Sequence, residues 1–144
     1  MVWPDASVVT ETAGERWGGL WSVVFTTERA VIALVQATSF AEGLDLIWFS
    51  EELREACEDL EAHHPADVAS ATAVDLGPVT AAQDIEAARA VLEGLLVAGL
   101  ARADELAAEE WARDPSVSRD LLSLFGLTAL LWCWDLRLGG KGSR

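Results

Sequence analysis

Residues 13–38 read AGERWGGLWSVVFTTERAVIALVQAT, and this segment admits two structures. Trp17, Leu20, Val24, Glu28, Val31, Val35 and Thr38 recur at spacings of three and four, the period that sets side chains on one face of an α-helix. Thr12 and Glu15 stand in the capping-box relation, in which a hydroxyl and a carboxylate satisfy free amides at a helix start. Against this, Gly18-Gly19 weakens a helix, and the run Val23, Val24, Phe25, Thr26, Thr27 prefers a strand. The periodicity predicts a first helix over 13–38, with a short strand or hairpin within 7–26 as the alternative.

The following segment predicts a second helix over 40–64. Ser39 and Glu42 form another capping box, and Leu46, Phe49, Leu53, Cys57, Leu60 and His64 form one apolar stripe. Phe40, Leu44, Ile47 and Trp48 form a second stripe on the opposite side of the first half. Beyond Ser50 that side turns acidic, and Pro65 ends the helix. Residues 65–79 (PADVASATAVDLGPV) are a small-residue connection long enough to cross the length of a bundle. Thr80 and Gln83 open a third helix over 81–113, with Ile85, Ala88, Leu92, Leu95, Leu96, Gly99, Ala103 and Leu106 on its buried face. Gly94 and Gly99 there either kink the helix or admit a close neighbour. Asp114-Pro115 supplies an N-cap and a first helical position for a fourth helix over 116–138, which ends at Gly139-Gly140.

The pattern therefore predicts an all-α fold: a four-helix bundle of two antiparallel hairpins joined by the longer 65–79 connection, with a simple up-down-up-down bundle as the alternative. It makes one helical domain of residues 1–144, with 1–12 and 140–144 as flexible ends. Helices of this size run roughly 36–50 Å at about 1.5 Å per residue, long for a lone domain of this mass. Dimerisation would complete such a bundle. The seven tryptophans point the same way. Trp132 and Trp134 fall on different faces of the fourth helix, and a single core does not easily cover every indole. Phe40, Leu44, Trp48, Trp132 and Trp134 are the interface candidates, and a homodimer is the simplest assembly.

The chain carries 24 acids against 10 bases, a net charge of −14. Such a balance excludes broad clamping of a phosphate backbone, so no direct nucleic-acid contact is expected. The distribution is uneven. Residues 51–64 hold Glu51, Glu52, Glu55, Glu58, Asp59 and Glu61 against Arg54 alone. Residues 116–144 are the one segment with a positive balance, holding Arg119, Arg137, Lys141 and Arg144 against Asp120 and Asp135. The apolar run from Leu121 to Trp134 is shorter than the roughly 20 residues of a membrane span, and Asp135 and Arg137 interrupt its end. The first residues, MVWPDASVVTETAGE, show neither a basic start nor an apolar run, so no leader is expected. Two isolated cysteines, Cys57 and Cys133, make no disulfide framework and suit a reducing cytoplasm.

Chemistry is sparsely signalled. Glu61-Ala-His-His64 is an ExxH sequence of the kind that bridges metals in di-metal carboxylate bundles. The expected fourth helix offers no Glu or His to complete such a set, so Glu61 and His64 are set aside as metal ligands. The acid run 51–61 resembles a Mg²⁺-holding pair but lacks a matching pair on a facing helix. No phosphate-binding glycine motif, nucleophile elbow or Cys-x-x-Cys is present, and no cofactor is expected. Charges on apolar stripes remain: Glu28, Arg89, Glu93 and Asp135. A bare charge in a core costs several kcal/mol, so each needs a partner, such as Arg89 with Glu28 or Glu93, and Asp135 with Arg29.

Two functions follow as expectations. The first is a small acidic cytoplasmic module, non-enzymatic, that self-associates and engages a basic partner protein through its negative faces, Glu51 to Glu61 and Asp104 to Asp114. An inhibitor of a nucleic-acid-binding protein is one form of it. The alternative is a small-molecule-binding or catalytic bundle whose polar pocket joins Glu28, Arg89, Glu93 and Asp135 among Trp48 and Trp132.

Overall fold

A computed structural model describes residues 3–37, 40–74, 76–77 and 85–113. Among them every regular element is an α-helix: α1 Ala6–Ala13, α2 Arg16–Ala37, α3 Phe40–His63, α4 Pro65–Ala69 and α5 Ile85–Arg113. The predicted fourth helix, 116–138, and the two later capping boxes lie at least partly outside the described residues.

The organising element is α2. It packs against α1, α3, α4 and α5. Its buried residues, from Trp17, Leu20, Val23 and Val24 to Ala30, Val31 and Leu34, cover most of its circumference, while a strip through Trp21, Phe25, Arg29, Ile32 and Gln36 stays at least partly exposed. The β-branched run that favoured a strand is helical here, because the burial of Val23, Val24, Thr26 and Thr27 outweighs an intrinsic preference of a few tenths of a kcal/mol per residue. By length and composition alone α2 could cross a membrane, yet 67% of its most apolar window is buried within the fold. That is the behaviour of a central core helix.

Pairwise contacts set the helix directions. Trp17 stacks on His64 and Trp21 donates to Glu61, so α3 runs antiparallel to α2. Arg16 faces Glu109 and Gly99 faces Val23, so α5 is also antiparallel to α2. Hence α3 and α5 point the same way, and the chain between them must climb the full length of α2. It does so by hydrogen bonds to small hydroxyls. Ser22 donates to the Thr72 carbonyl, and Thr26 accepts from the Val74 amide at 3.4 Å. The Trp3 indole then donates to the Gly77 carbonyl at 3.0 Å. A crossover, rather than a simple up-down-up succession, connects the described helices.

Two features correct the sequence expectations at the first helix. Residues 3–12 do not form a loose end: α1 is a helix, with Trp3 and Val9 in the core. Its N-cap is Asp5, whose carboxylate accepts from the Ser7 amide at 3.0 Å. Thr12 is consequently no cap for the next helix; its hydroxyl donates to Val8 within α1 at 2.8 Å. The break falls at Gly14, with φ 90°, and α2 starts at Arg16 with φ 60°. Gly14 takes a positive φ at no side-chain cost, whereas Arg16, which carries a Cβ, holds one at a cost of about 1–2 kcal/mol. A further correction lies elsewhere: α4 is a single short helix inside the expected 65–79 connection.

The second and third helices match the predicted faces. Phe49, Leu53, Cys57 and Leu60 are buried on α3, and Ala88, Leu92, Leu95, Leu96, Ala103 and Leu106 on α5. Gly94 and Gly99 admit neighbours. A Cβ at Gly94 would stand 2.7 Å from that of Ala6, whereas at Gly99 it would meet Val23 at an ordinary 3.6 Å.

Gly18 is the tightest test of this packing, since a Cβ there would lie 2.6 Å from the main-chain oxygen of Asp67. Backbone cannot swing aside as a side chain does, so Gly18→Ala should destabilise by about 1–3 kcal/mol. Thermal denaturation monitored by circular dichroism should show a clearly lowered Tm. An unchanged Tm would mean that α4 does not sit against α2 in this way.

Candidate functional site

The seam between α2 and α3 holds the most unusual chemistry in the described residues. Glu28 lies on the buried side of α2 and retains only 8% of its exposure. Desolvation pushes its carboxyl above the usual glutamate range, since burial disfavours the charged form. Arg29 and Arg54 pull in the opposite direction, and Glu51 and Glu58 add to the rise. Beside it Cys57 is buried on α3. Burial, and then Glu28, Glu61 and Glu58, drive its thiol well above the ordinary cysteine range. A thiol held protonated in this way is a poor nucleophile and a poor metal ligand. Its role is to pack.

At the end of this seam the ExxH residues take separate tasks. Glu61 accepts from the Trp21 indole at 3.1 Å. His64 stacks on Trp17 with ring centroids 4.0 Å apart and planes 7° from parallel. Trp21 in turn stacks on Phe25 at 4.9 Å. The Trp17 indole N–H is buried with no acceptor among the described residues. Among those residues no three His, Cys, Asp or Glu side chains converge as a metal site.

The residues expected to share a polar pocket are distributed differently. Glu28 is in the α2–α3 seam. Arg89, partly buried on α5, pairs with Glu86 of the same helix at 3.7 Å. Glu93 is exposed on α5. Trp48 turns outward, 69% exposed, with Ile47 beside it at 43%. Trp132, Trp134 and Asp135 lie outside the described residues. Phe40 and Leu44 belong to α3, but their side chains lie outside the description. The structure therefore does not bring Glu28, Glu93 and Trp48 together. Where α2, α3 and α5 meet, around Val24, Thr27, Leu53 and Leu95, the gap is ≈ 10 Å³ and apolar. That is about the smallest space that holds one water.

Sequence reasoning missed two sets of residues. Thr26 was legible only as part of a strand-favouring run and Ser22 carried no signal, yet their hydroxyls hold the crossover. Arg102 carried no signal at all, yet its guanidinium donates to the Gly14 carbonyl at 2.5 Å and so fixes the turn between α1 and α2. Only the acyl oxygen left free by the break at Gly14 makes such a contact necessary.

Neither a family model nor a curated protein nor a solved structure gives a significant match to this chain.

Glu28 gives a pH-dependent prediction with a definite sign. Its folded-state pKa lies above the ordinary value of 4.5. The favourable contribution is therefore complete below that ordinary value and is lost as pH rises through the folded-state pKa. Glu28→Gln removes the ionisation, so its Tm should match the wild type near pH 4 and exceed it near pH 7. A variant less stable than wild type at pH 7 would show that Glu28 is held there by a favourable partner instead.

Proposed function

We propose that this chain is a small acidic interaction module without catalytic activity, which self-associates and engages a basic partner surface. The observation that carries the reading is the outward side of α3. Trp48 and Ile47 stand exposed there, and Glu51, Glu52, Glu55, Glu58 and Asp59 follow them along the exposed side of the helix. An exposed indole next to a dense field of one sign has the composition of an association surface: an aromatic anchor for affinity and charge for steering and partner choice.

The same reading takes residues 116–138 as the fourth long helix of a bundle with α2, α3 and α5. It takes the dimer as the state in which the remaining apolar surface, including Trp132 and Trp134, is covered. The proposed setting is the cytoplasm. The buried, protonated Cys57 needs no partner thiol, which supports that setting without requiring it. The rival reading, a ligand-binding bundle, has one supporting observation, the buried carboxyl of Glu28.

Sedimentation equilibrium or native mass spectrometry tests the assembly. The module should behave as a multiple of 15.5 kDa, most simply twice that mass. A 15.5 kDa species over the whole accessible concentration range would contradict self-association.

A further inference from the structure

The inference here rests on the reading of the chain as a self-associating module and names what covers the outward face of α3. Trp48, Glu52, Glu55 and Asp59 are spaced by four, three and four residues. That spacing aligns them in one stripe about 16 Å long. All four are exposed. The neighbouring acids are already compensated: Arg54 contacts Glu51 at 2.6 Å and Glu58 at 3.9 Å. Glu52, Glu55 and Asp59 have no ion pair to any described base. The stripe is thus an aromatic side chain followed by three uncompensated carboxylates.

The chain also contains the opposite pattern. Trp134, Arg137, Lys141 and Arg144 are spaced by three, four and three residues, in the one segment with positive balance. From Trp134 to Arg144 the backbone spans about 15 Å as a helix and about 33 Å fully extended, so it can match the stripe in several conformations. We propose that residues 134–144 of one copy lie along the Trp48–Asp59 stripe of a second copy. Trp134 meets Trp48, and the three bases meet Glu52, Glu55 and Asp59.

The geometry favours a second copy over the same molecule. The Arg16–Glu109 and Trp17–His64 contacts place the end of α5 beside the end of α3. A fourth helix starting at residue 116 would climb from that end towards Trp48. It would cover the 15 residues back from His63 in about 22 Å, while its own length is about 34 Å. Arg137 would then lie beyond Trp48, away from Asp59, and the four residues after Gly140 are too few to turn back along the whole stripe of the same molecule. Another copy presents its stripe to all three bases.

Charge exchange tests the pairing. One variant carries Glu52→Lys, Glu55→Lys and Asp59→Lys; another carries Arg137→Glu, Lys141→Glu and Arg144→Glu; a third combines all six. Dimer Kd is measured by sedimentation equilibrium at low and high salt, with helix content checked by circular dichroism. Each triple variant should weaken the dimer by roughly 10- to 100-fold at low salt, as expected for three exposed ion pairs turned repulsive, and the combination should recover most of the loss. Trp48→Glu, a single exposed change, supplies a second reading if a triple variant loses helix, and should weaken the dimer as well. A wild-type dimer unaffected by these changes would overturn this pairing while leaving self-association standing. A triple variant that lowers Tm without changing mass would place the bases on their own molecule and also overturn it. A wild-type monomer would remove the reading on which the pairing rests.

Discussion

The structure depends on the burial of most of the surface of α2. A helix with so wide an apolar surface must be flanked by other elements on several sides. α3 and α5 supply two long apolar stripes, and α1, α4 and residues 72–74 pack against it as well, while the strip through Arg29 and Gln36 stays open to solvent. The glycines of α2 follow from the same demand. At Gly18 the backbone of α4 approaches to a distance that no side chain would allow, and at Gly19 the Gly14 carbonyl does the same. The hydroxyls of Ser22 and Thr26 are polar groups that a surrounded helix can carry only because the crossover offers them partners.

Charge is arranged around that core with one exception. Those acids of α3 and α5 whose side chains are described face outward, where ionisation costs little and mutual repulsion is screened by solvent. Glu28 breaks the pattern, next to a cysteine that its own field helps to keep protonated. Its two nearest compensating charges, Arg29 and Arg54, act from the rim of the seam. The seam is therefore a place where stability is held below what an apolar side chain would give. The outward face of α3 has the opposite character, with exposed aromatic and carboxylate groups.

The extent to which this was legible in the sequence varies with how local the deciding interaction is. The second helix was readable almost to the residue, because Phe49, Leu53, Cys57 and Leu60 carry a strong period and Pro65 stops it. The buried face of α5 was readable for the same reason. The turn at Gly14 was not, since Thr12 and Glu15 imitate a capping box while the actual restraint comes from Arg102, far along the chain. Glu28 was recognisable as a charge on an apolar stripe, but its neighbourhood depends on how α3 packs, and Arg89 found Glu86 on its own helix. Trp48 was legible as surplus apolar surface, and its outward position agrees with that. What would cover that surface is not encoded in a single chain's periodicity.

Hydrogen exchange resolved along the chain tests the central role of α2 most directly, because protection reports the free energy needed to expose each segment. The account predicts that the amides of residues 20–34 exchange slowest of all, only through global unfolding, with α1 and α4 opening earlier. Exchange in α2 as fast as in α1 or α4, or faster than in both α3 and α5, would contradict it.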